Sequence, residues 1–434
     1  MKKKILYFIF FYIFFVSIGY SQYYQAIDTT DYEERAALIK EINSNFKSFK
    51  KELKKKHKGK IRNELKKTYT RLHNNFIKDI NNKKIVFNSE FSNYIDSLTN
   101  SIVKSNSDLI KSKLKVFVTR HNSPNALSMG NGFVLINMGL FKYLKTEAQL
   151  VSVLTHEIAH QLLKHSEKNI IKNTRLEISK TNKEQVRKIK KKKFNKQSEA
   201  FGALKKILLA GSKLNRKQEK EADSLGFILY NNTKYPPKEF INTLSVLIKY
   251  DTLPNILLKK SIYKKVFDIP KHPFKESWLK IENFEVYNYK VFKEKINKDS
   301  LKSHPELASR IKLLKKKFTK ELSVYKELQP NIVFKKLKEI ANSEDISNLS
   351  YLEKYGLSIY LTLSKLEKDP ENKYFKKWIG KNFVKLYDAK KKYQFNRYVN
   401  RLKPKEQDES YQQFLSFLWN LNLKDIKVIS DYYQ

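Results

Sequence analysis

One five-residue segment, His156-Glu157-Ile158-Ala159-His160, constrains the fold of this chain more than any other. It lies in a predicted helix that opens with a capping-box pattern, Thr146 followed three residues later by Gln149, and runs to about His165. The buried stripe of this helix consists of Leu150, Leu154, Ile158 and Leu162. The fold must therefore bury one side of the helix while two imidazoles on it reach a common ligand.

The two histidines are four residues apart, which places their side chains roughly 40° apart on one helix face. Neutral imidazoles so placed can hold one Zn²⁺, and Glu157 can reach a metal-bound water as a general base. The chain contains no cysteine, so any metal must be held by histidine and carboxylate. We expect one zinc ion per chain, with His156 and His160 as ligands and Glu157 as the catalytic base. The alternative is a chance pair of surface histidines.

A catalytic zinc ion needs a third protein ligand, and Glu219 is the leading candidate. It lies in a second predicted helix, residues 215–230, with Asp223 one turn further along the same face. Glu219 could ligate the ion while Asp223 accepts the free N–H of a ligand histidine. Glu221 points away and is expected to be solvated. His165 would lie half a turn from the histidine face of a continuous helix, so it is rejected as a ligand.

The amino terminus has the pattern of a secretory signal peptide. Lys2, Lys3 and Lys4 precede an apolar stretch, residues 5–18, and Gly19 and Ser21 supply small residues before Gln22. The apolar run is shorter than the roughly 20 residues that cross a bilayer, so an uncleaved membrane anchor is the alternative. We expect residues 1–21 to be removed and the chain to be exported. A cysteine-free exported protein fits a bacterial periplasm.

Three regions are predicted in the mature chain, and together they give an α+β fold that is mostly helical. Residues 22–112 carry apolar residues at helical spacing with almost no glycine or proline, which predicts surface helices. Residues 113–320 contain two predicted strands, 114–118 and 133–136, which form a small β-sheet beside the two helices above. Residues 321–434 form a C-terminal helical region. Two amphipathic stripes there, Tyr355, Ile359, Leu363, Leu366 and Phe375, Ile379, Phe383, Leu386, suggest a tetratricopeptide-like pair or a simple bundle.

The formal net charge is +44, from 88 Lys and Arg against 44 Asp and Glu. The densest basic runs are residues 50–67 and 183–196. We interpret residues 50–67 as a solvated helix face, with a phosphate contact or a peripheral contact to the headgroups of an anionic membrane as the alternative. For residues 183–196, contact with lipid, a cover over the active site and disorder all stay open. Nucleic acid is not expected as a partner, because these runs contain no recognition module and an exported chain does not meet the genome.

In combination, these motifs resemble those of the HtpX/BepA-like zinc metallopeptidases, relatives of the type I CAAX prenyl proteases. The resemblance covers roughly residues 114–314 and is closer to the soluble secreted branch than to the integral membrane members. Besides the zinc motifs it includes Asn125-Ala126-Leu127, Gly130, Gly132, Phe133, Val134 and Gly139-Leu140 upstream, and His304-Pro305, Arg310 and Ile311 downstream. Asn131 stands where the family usually has Gly, and Leu127 where it usually has Phe.

The resemblance implies a zincin-like (gluzincin) metallopeptidase core. In the family an edge strand aligns the extended backbone of the substrate, which implies that substrate pairs with the strand at Phe133–Asn137. The substrate-binding residues would then be Asn125, Phe133, Val134 and Leu135. The resemblance also implies that His304 approaches the zinc or the developing oxyanion and that Arg310 supports it. His304 could equally be a helix N-cap before a proline, and the two interpretations are compatible.

The implied activity is that of a zinc-dependent endopeptidase. Its polypeptide substrates would be unfolded or misassembled envelope proteins, including outer-membrane proteins. The alternative is a chaperone-like binder of the envelope whose basic helical arms hold clients and whose protease is latent.

Overall fold

The computed structural model describes residues 24–87, 89–111, 114–130, 132–191, 196–250, 256–281, 307–404 and 406–434. The predicted signal peptide and His304 lie outside these residues. Across the described part of the chain, none of the helices combines the length and the apolar character needed to span a bilayer.

The chain is mostly helical with one small mixed sheet, as the sequence predicts. The strands are β1 (Ile85–Val86), β2 (Lys115–Thr119), β3 (Ala126–Gly130) and β4 (Phe133–Asn137). The helices are α1 (Tyr32–Lys56), α2 (Gly59–Asn81), α3 (Glu90–Ser105), α4 (Gly139–Tyr143), α5 (Glu147–Leu162), α6 (His165–Ile178), α7 (Lys180–Lys191), α8 (Lys196–Asn231), α9 (Lys238–Tyr250), α10 (Ser261–Phe267), α11 (Leu307–Lys317), α12 (Thr319–Ser323), α13 (Ile332–Ser343), α14 (Asp345–Tyr351), α15 (Tyr355–Leu366), α16 (Lys373–Lys391), α17 (Glu409–Asn420) and α18 (Leu423–Tyr432).

The sheet has the order β1-β2-β4-β3. Strand β2 runs antiparallel to β1 and parallel to β4, and β3 runs antiparallel to β4. The two predicted strands correspond to β2 and β4. Strands β1 and β3 are not predicted, because β1 has only two residues and β3 lies in a stretch whose Ser128 and Gly130 favour a turn.

The prediction that Phe133–Asn137 forms the edge of the sheet is wrong. Strand β4 is paired on both sides, with β2 and with β3, so its backbone groups are used within the sheet. Of the described strands, β1 and β3 form the edges. Phe133 and Val134 are buried, and Phe133 packs against Phe76 of α2 and Phe117 of β2. Strand order depends on contacts between distant residues, which local sequence patterns do not encode.

Helix α5 starts where the sequence predicts but ends earlier. The Thr146 side chain accepts a hydrogen bond from the Gln149 backbone N–H, while Gln149 Oε1 accepts from Lys145 N. The helix stops at Leu162 because Lys164 adopts a left-handed conformation with φ of 54°, and α6 begins at His165. The second predicted helix is longer than expected: α8 starts at Lys196, in a stretch without proline.

Two large apolar cores organise the chain. The first contains the sheet, α5 and parts of α3, α8 and α9, and also Phe334 and Leu337 of α13. The second joins residues 258–278 to the helices α15 to α18. The two predicted stripes, which run from Tyr355 to Leu366 and from Phe375 to Leu386, lie in α15 and α16. Asn372 caps α16 by accepting from the backbone N–H of Phe375. The domain boundaries at residues 112 and 320 stay predictions.

Residues 50–67 and, of the second basic run, residues 183–191 lie on an arm made of α1, α2, α6 and α7. Helices α1 and α2 are joined by two residues, and their base packs on the sheet through Leu38, Ile42, Phe76 and Ile80. Lys60 of α2 lies beside Lys183 of α7 and lowers the pKa of Lys183. Like charges of α2 and α7 therefore lie close together in solvent at this point of the arm.

A buried ion pair connects the sheet to the C-terminal helices. Arg120 follows β2, Glu344 precedes α14, and both side chains are fully buried with 3.1 Å between Arg120 Nη1 and Glu344 Oε2. Glu344 also accepts hydrogen bonds from Tyr24 Oη at 2.6 Å, from Ile27 N at 2.8 Å and from Ser347 Oγ at 2.8 Å. One carboxylate thus holds the amino-terminal segment and the sheet against the C-terminal helices.

We expect Glu344→Gln to lower the melting temperature by at least about 5 °C, because it leaves the Arg120 charge buried without its counter-ion. The matched control is Glu371→Gln, which removes a surface ion pair with Lys376 whose carboxylate is 86% exposed. The control should shift the melting temperature by less than about 2 °C. Calorimetry of both variants measures the difference, and equal small shifts would contradict the role of Glu344.

Candidate metal centre

Helices α5 and α8 bring together the three residues that the sequence analysis selects as metal ligands. Nε2 of His156 and Nε2 of His160 are 3.1 Å apart. The Glu219 carboxylate lies 3.6 Å from His156 Nε2 and 3.4 Å from His160 Nε2. One ligand atom from each residue lies within 4.8 Å of the other two, a spacing that can hold a metal ion.

The contact between Asp223 and His156 favours the imidazole tautomer that can bind a cation. His156 Nδ1 faces Asp223 Oδ1 at 3.1 Å, off the ideal hydrogen-bonding line, so the carboxylate favours a proton on that nitrogen. A neutral His156 then presents a lone pair at Nε2, toward Nε2 of His160. Two nitrogens bound to one tetrahedral zinc at about 2.1 Å lie about 3.4 Å apart, close to the observed spacing. The donor set and its geometry therefore fit a divalent metal ion.

The charges around His156 also favour a cation at this position. Burial lowers the pKa of His156, but hydrogen bonding and charge from Asp223 and Glu219 outweigh burial and raise it from 6.5 to about 10. Without a metal ion, the two carboxylates thus favour a proton on this imidazole. A divalent cation at the same place would satisfy the same negative charges.

Arg310 of α11 holds the two carboxylates of α8. Its Nε and Nη2 donate to Asp223 at 2.7 and 2.6 Å, and its Nη1 lies 2.9 Å from Glu219 Oε2. Burial raises the pKa of Asp223, but His156 and Arg310 outweigh burial and lower it, so Asp223 is ionised. The structure therefore places Arg310 behind the predicted third ligand. Support of His304 by Arg310 stays a prediction.

Glu157 lines a cleft of about 260 Å³ beside the imidazoles. The cleft is bounded by Asn125 and Ala126 at the start of β3, by α5, and by α9 and α11. Its lining includes the apolar residues Leu140, Val153, Phe240, Leu244, Leu247 and Leu307. Of the four predicted substrate-binding residues, Asn125 lies at this cleft, whereas Phe133, Val134 and Leu135 belong to the interior strand β4.

Glu221 lies outside the ligand group and its side chain is 42% exposed, but it also contacts a histidine, which the sequence does not predict. His165 Nδ1 lies 2.9 Å from His160 Nδ1, and His165 Nε2 lies 3.1 Å from Glu221 Oε2. The helix break at Lys164 turns His165 back toward His160, which the assumption of a continuous helix excludes. His165 is outside the ligand group, since its Nδ1 faces the side of the His160 ring opposite Nε2. Burial and the neighbouring His160 lower the pKa of His165, so its neutral form is favoured despite Glu221.

Gly226 is a second residue that the sequence analysis misses. A Cβ at this position would lie 3.0 Å from Cα and 3.2 Å from N of His156. Gly226 lies seven residues after Glu219, on the same face of α8. Its missing side chain lets α8 approach α5 at the histidine that binds Asp223. A glycine seven residues beyond a candidate ligand in a predicted helix is the sequence signal for this contact.

We expect Gly226→Ala to weaken zinc binding at least about tenfold, because the added methyl pushes α8 and Glu219 away from His156. Chelator competition measures the zinc dissociation constant. The matched control is Gly356→Ala in α15, where the new Cβ meets its nearest neighbour at 3.4 Å. The control should bind zinc like the parent protein. Unchanged affinity in Gly226→Ala would contradict the packing argument.

The helices that carry this site lie within a part of the chain that matches a known family. The model of peptidase family M48 matches residues 90–317, which include α5, α8 and α11. The beta-barrel assembly-enhancing protease of Escherichia coli K12 is 35% identical over 72 residues, 17% of this chain and 15% of that protein. The Yersinia pestis protein of the same name is 28% identical over 81 residues, 19% of this chain and 16% of that protein. A Vibrio cholerae relative assigned to the same type is 34% identical over 85 residues, 20% of this chain and 17% of that protein.

The matched segments thus span 15% to 17% of the length of these relatives, so the likeness is confined to a short part of each. The family match is wider and covers more than half of this chain. It includes the two helices that bring His156, His160 and Glu219 together. The chain therefore belongs to peptidase family M48, a family of metal-dependent peptidases.

Proposed function

We propose that this protein is a zinc-dependent endopeptidase with a gluzincin-type centre. The observation that carries the proposal is the convergence of His156, His160 and Glu219, together with a cleft that both His156 and Glu157 line. Two histidines and one carboxylate are a common ligand set for catalytic zinc, and they leave one position open.

A bound zinc ion would supply Lewis acidity toward the scissile carbonyl and toward the attacking water. Glu157 accepts the proton of that water and passes it to the leaving amine. Asp223 holds the His156 ring through its Nδ1, and Arg310 keeps Asp223 and Glu219 in place. We retain His304 as a candidate for stabilising the oxyanion, with no geometry assigned to it.

Substrate is proposed to pair with β3 rather than with β4. Strand β3 is an edge of the sheet, and its amino-terminal end lies at the cleft. Asn137 N donates to Asn125 O, so by the antiparallel alternation the backbone groups of Leu127 face β4 while those of Ala126 and Ser128 face outward. Ser166 Oγ donates to Ser128 O at 2.7 Å. The outward groups of Ala126 nearest the cleft are the ones proposed to bind an extended peptide.

The proposed substrates are unfolded or misassembled envelope proteins, including outer-membrane proteins. Two considerations support this class. Pairing with an edge strand requires an extended backbone, which folded proteins rarely offer. The relatives are named for enhancing beta-barrel assembly, and the predicted signal peptide would export this chain. Periplasmic location and contact of the basic arm with anionic lipid are part of this proposal.

We expect Glu157→Gln to lower the kcat for casein cleavage by about 10² to 10⁴-fold without loss of bound zinc, because it removes the proton acceptor and leaves the ligands intact. Activity is measured on unfolded casein, and zinc by elemental analysis. Glu219→Ala should instead lose zinc together with activity. Glu177→Gln, an exposed glutamate on α6, is the matched control and should change neither quantity. Full activity in Glu157→Gln would contradict the proposed role of Glu157 and with it the proposed function.

Pairing with β3 predicts that backbone N-methylation of a peptide substrate has a two-residue period. Methylation of the amides that face β3 should raise KM about tenfold each, because one backbone hydrogen bond is lost and a methyl group is inserted. Methylation of the intervening amides on the same side of the scissile bond should have little effect. These alternate peptides are the matched control. An effect that is equal at all positions, or absent from all, would argue against strand addition.

A further inference from the structure

We propose that His165 and Glu221 form a positioning relay for the metal ligand His160. The relay consists of the two contacts described above, His160 Nδ1 to His165 Nδ1 at 2.9 Å and His165 Nε2 to Glu221 Oε2 at 3.1 Å. The inference rests on the proposed zinc site and assigns a role to two residues outside its ligand set.

The proton positions along the relay follow from the chemistry of neutral imidazole. If Nε2 of His160 offers its lone pair to a metal ion, Nδ1 of the same ring must carry the proton. His165 Nδ1 must then accept that proton's hydrogen bond, which leaves the His165 proton on Nε2. That N–H points at the Glu221 carboxylate, a group that only accepts when ionised. Every donor in the relay meets an acceptor in this arrangement.

The surroundings hold the relay in one conformation. His165 is 2% exposed, and its ring lies edge-on to that of His160 with 4.9 Å between ring centroids. A reciprocal pair of amide hydrogen bonds between Asn169 and Gln218, at 2.8 and 3.0 Å, joins α6 to α8 one turn from the relay. Glu221 itself is 42% exposed and also lies 3.8 Å from Lys217 Nζ.

The relay divides the support of the metal site between two parts of the chain. Asp223 of α8 faces the His156 ring directly, whereas His160 is supported through an inserted histidine at the start of α6. A partner on the remote nitrogen fixes the tautomer and orientation of a ligand histidine and raises its basicity. Loss of the relay should therefore weaken zinc binding while the ligands themselves remain.

The test compares zinc affinity in His165→Phe, Glu221→Gln and the double variant of the full chain. His165→Phe keeps the ring volume and removes both nitrogens, so it should weaken zinc binding about 10- to 100-fold. Glu221→Gln should weaken it less, by about 3- to 10-fold, since the amide oxygen can still accept but carries no charge. Because Glu221 acts only through His165, the double variant should match His165→Phe. Cobalt substitution should show a changed visible spectrum in His165→Phe, which a loss of general stability would not cause.

The matched control is His272→Phe. His272 Nε2 lies 3.1 Å from Asp425, the same length as the relay contact to Glu221, but in the second core. This variant should lose stability without losing zinc affinity. If His165→Phe fails to fold, Glu221→Gln alone decides, because its half-exposed side chain can change without disturbing the core.

Parent-like zinc affinity and cobalt spectrum in both single variants would overturn the relay and leave the proposed function standing. An undiminished effect of Glu221→Gln in the His165→Phe background would also overturn it. Failure of the parent protein to bind zinc would overturn the proposed function and the relay together.

Discussion

The close packing of α8 against α5 is the contact on which the rest of the site depends. Gly226 allows the two helix backbones to approach at His156, and that approach brings Glu219 to the paired imidazoles and Asp223 to the back of one ring. Arg310 then links α11 to both carboxylates. A shift of α8 would change all of these distances at once, because one rigid helix carries both acidic groups.

The site contains more negative charge than its own residues neutralise. Glu157, Glu219 and Asp223 face one arginine, and Asp223 and Glu219 raise the pKa of His156 to about 10 against the effect of burial. A site of this kind favours a cation, since burial makes an uncompensated charge costly. The net charge of +44 does not by itself supply that cation, because Arg310 is the basic side chain that contacts Glu219 and Asp223 among the described residues.

Residues spaced along one helix could be predicted well from the sequence. His156 and His160 lie on one face of α5, and Glu219 and Asp223 lie on one face of α8, as the helical period requires. The paired helices α15 and α16 follow from their apolar stripes in the same way. The substrate edge was mispredicted because strand β3 lies between the two predicted strands in the chain and yet pairs on the outer side of β4. The contact of His165 with His160 was missed because it requires a helix break at Lys164. Lysine has a high helix propensity, so the sequence indicates a continuous helix there.

By itself, the sequence determined that any metal must be held by histidine and carboxylate, since the chain has no cysteine, and which residues share a helix face. Helix geometry is local, so a spacing of four residues specifies a direction in space. Only the tertiary structure decided that Glu219 meets the imidazoles, that β3 rather than β4 is an edge strand, and that His165 and Glu221 stand behind His160. These arrangements join residues far apart in the chain, and their geometry follows from how helices and strands pack against each other.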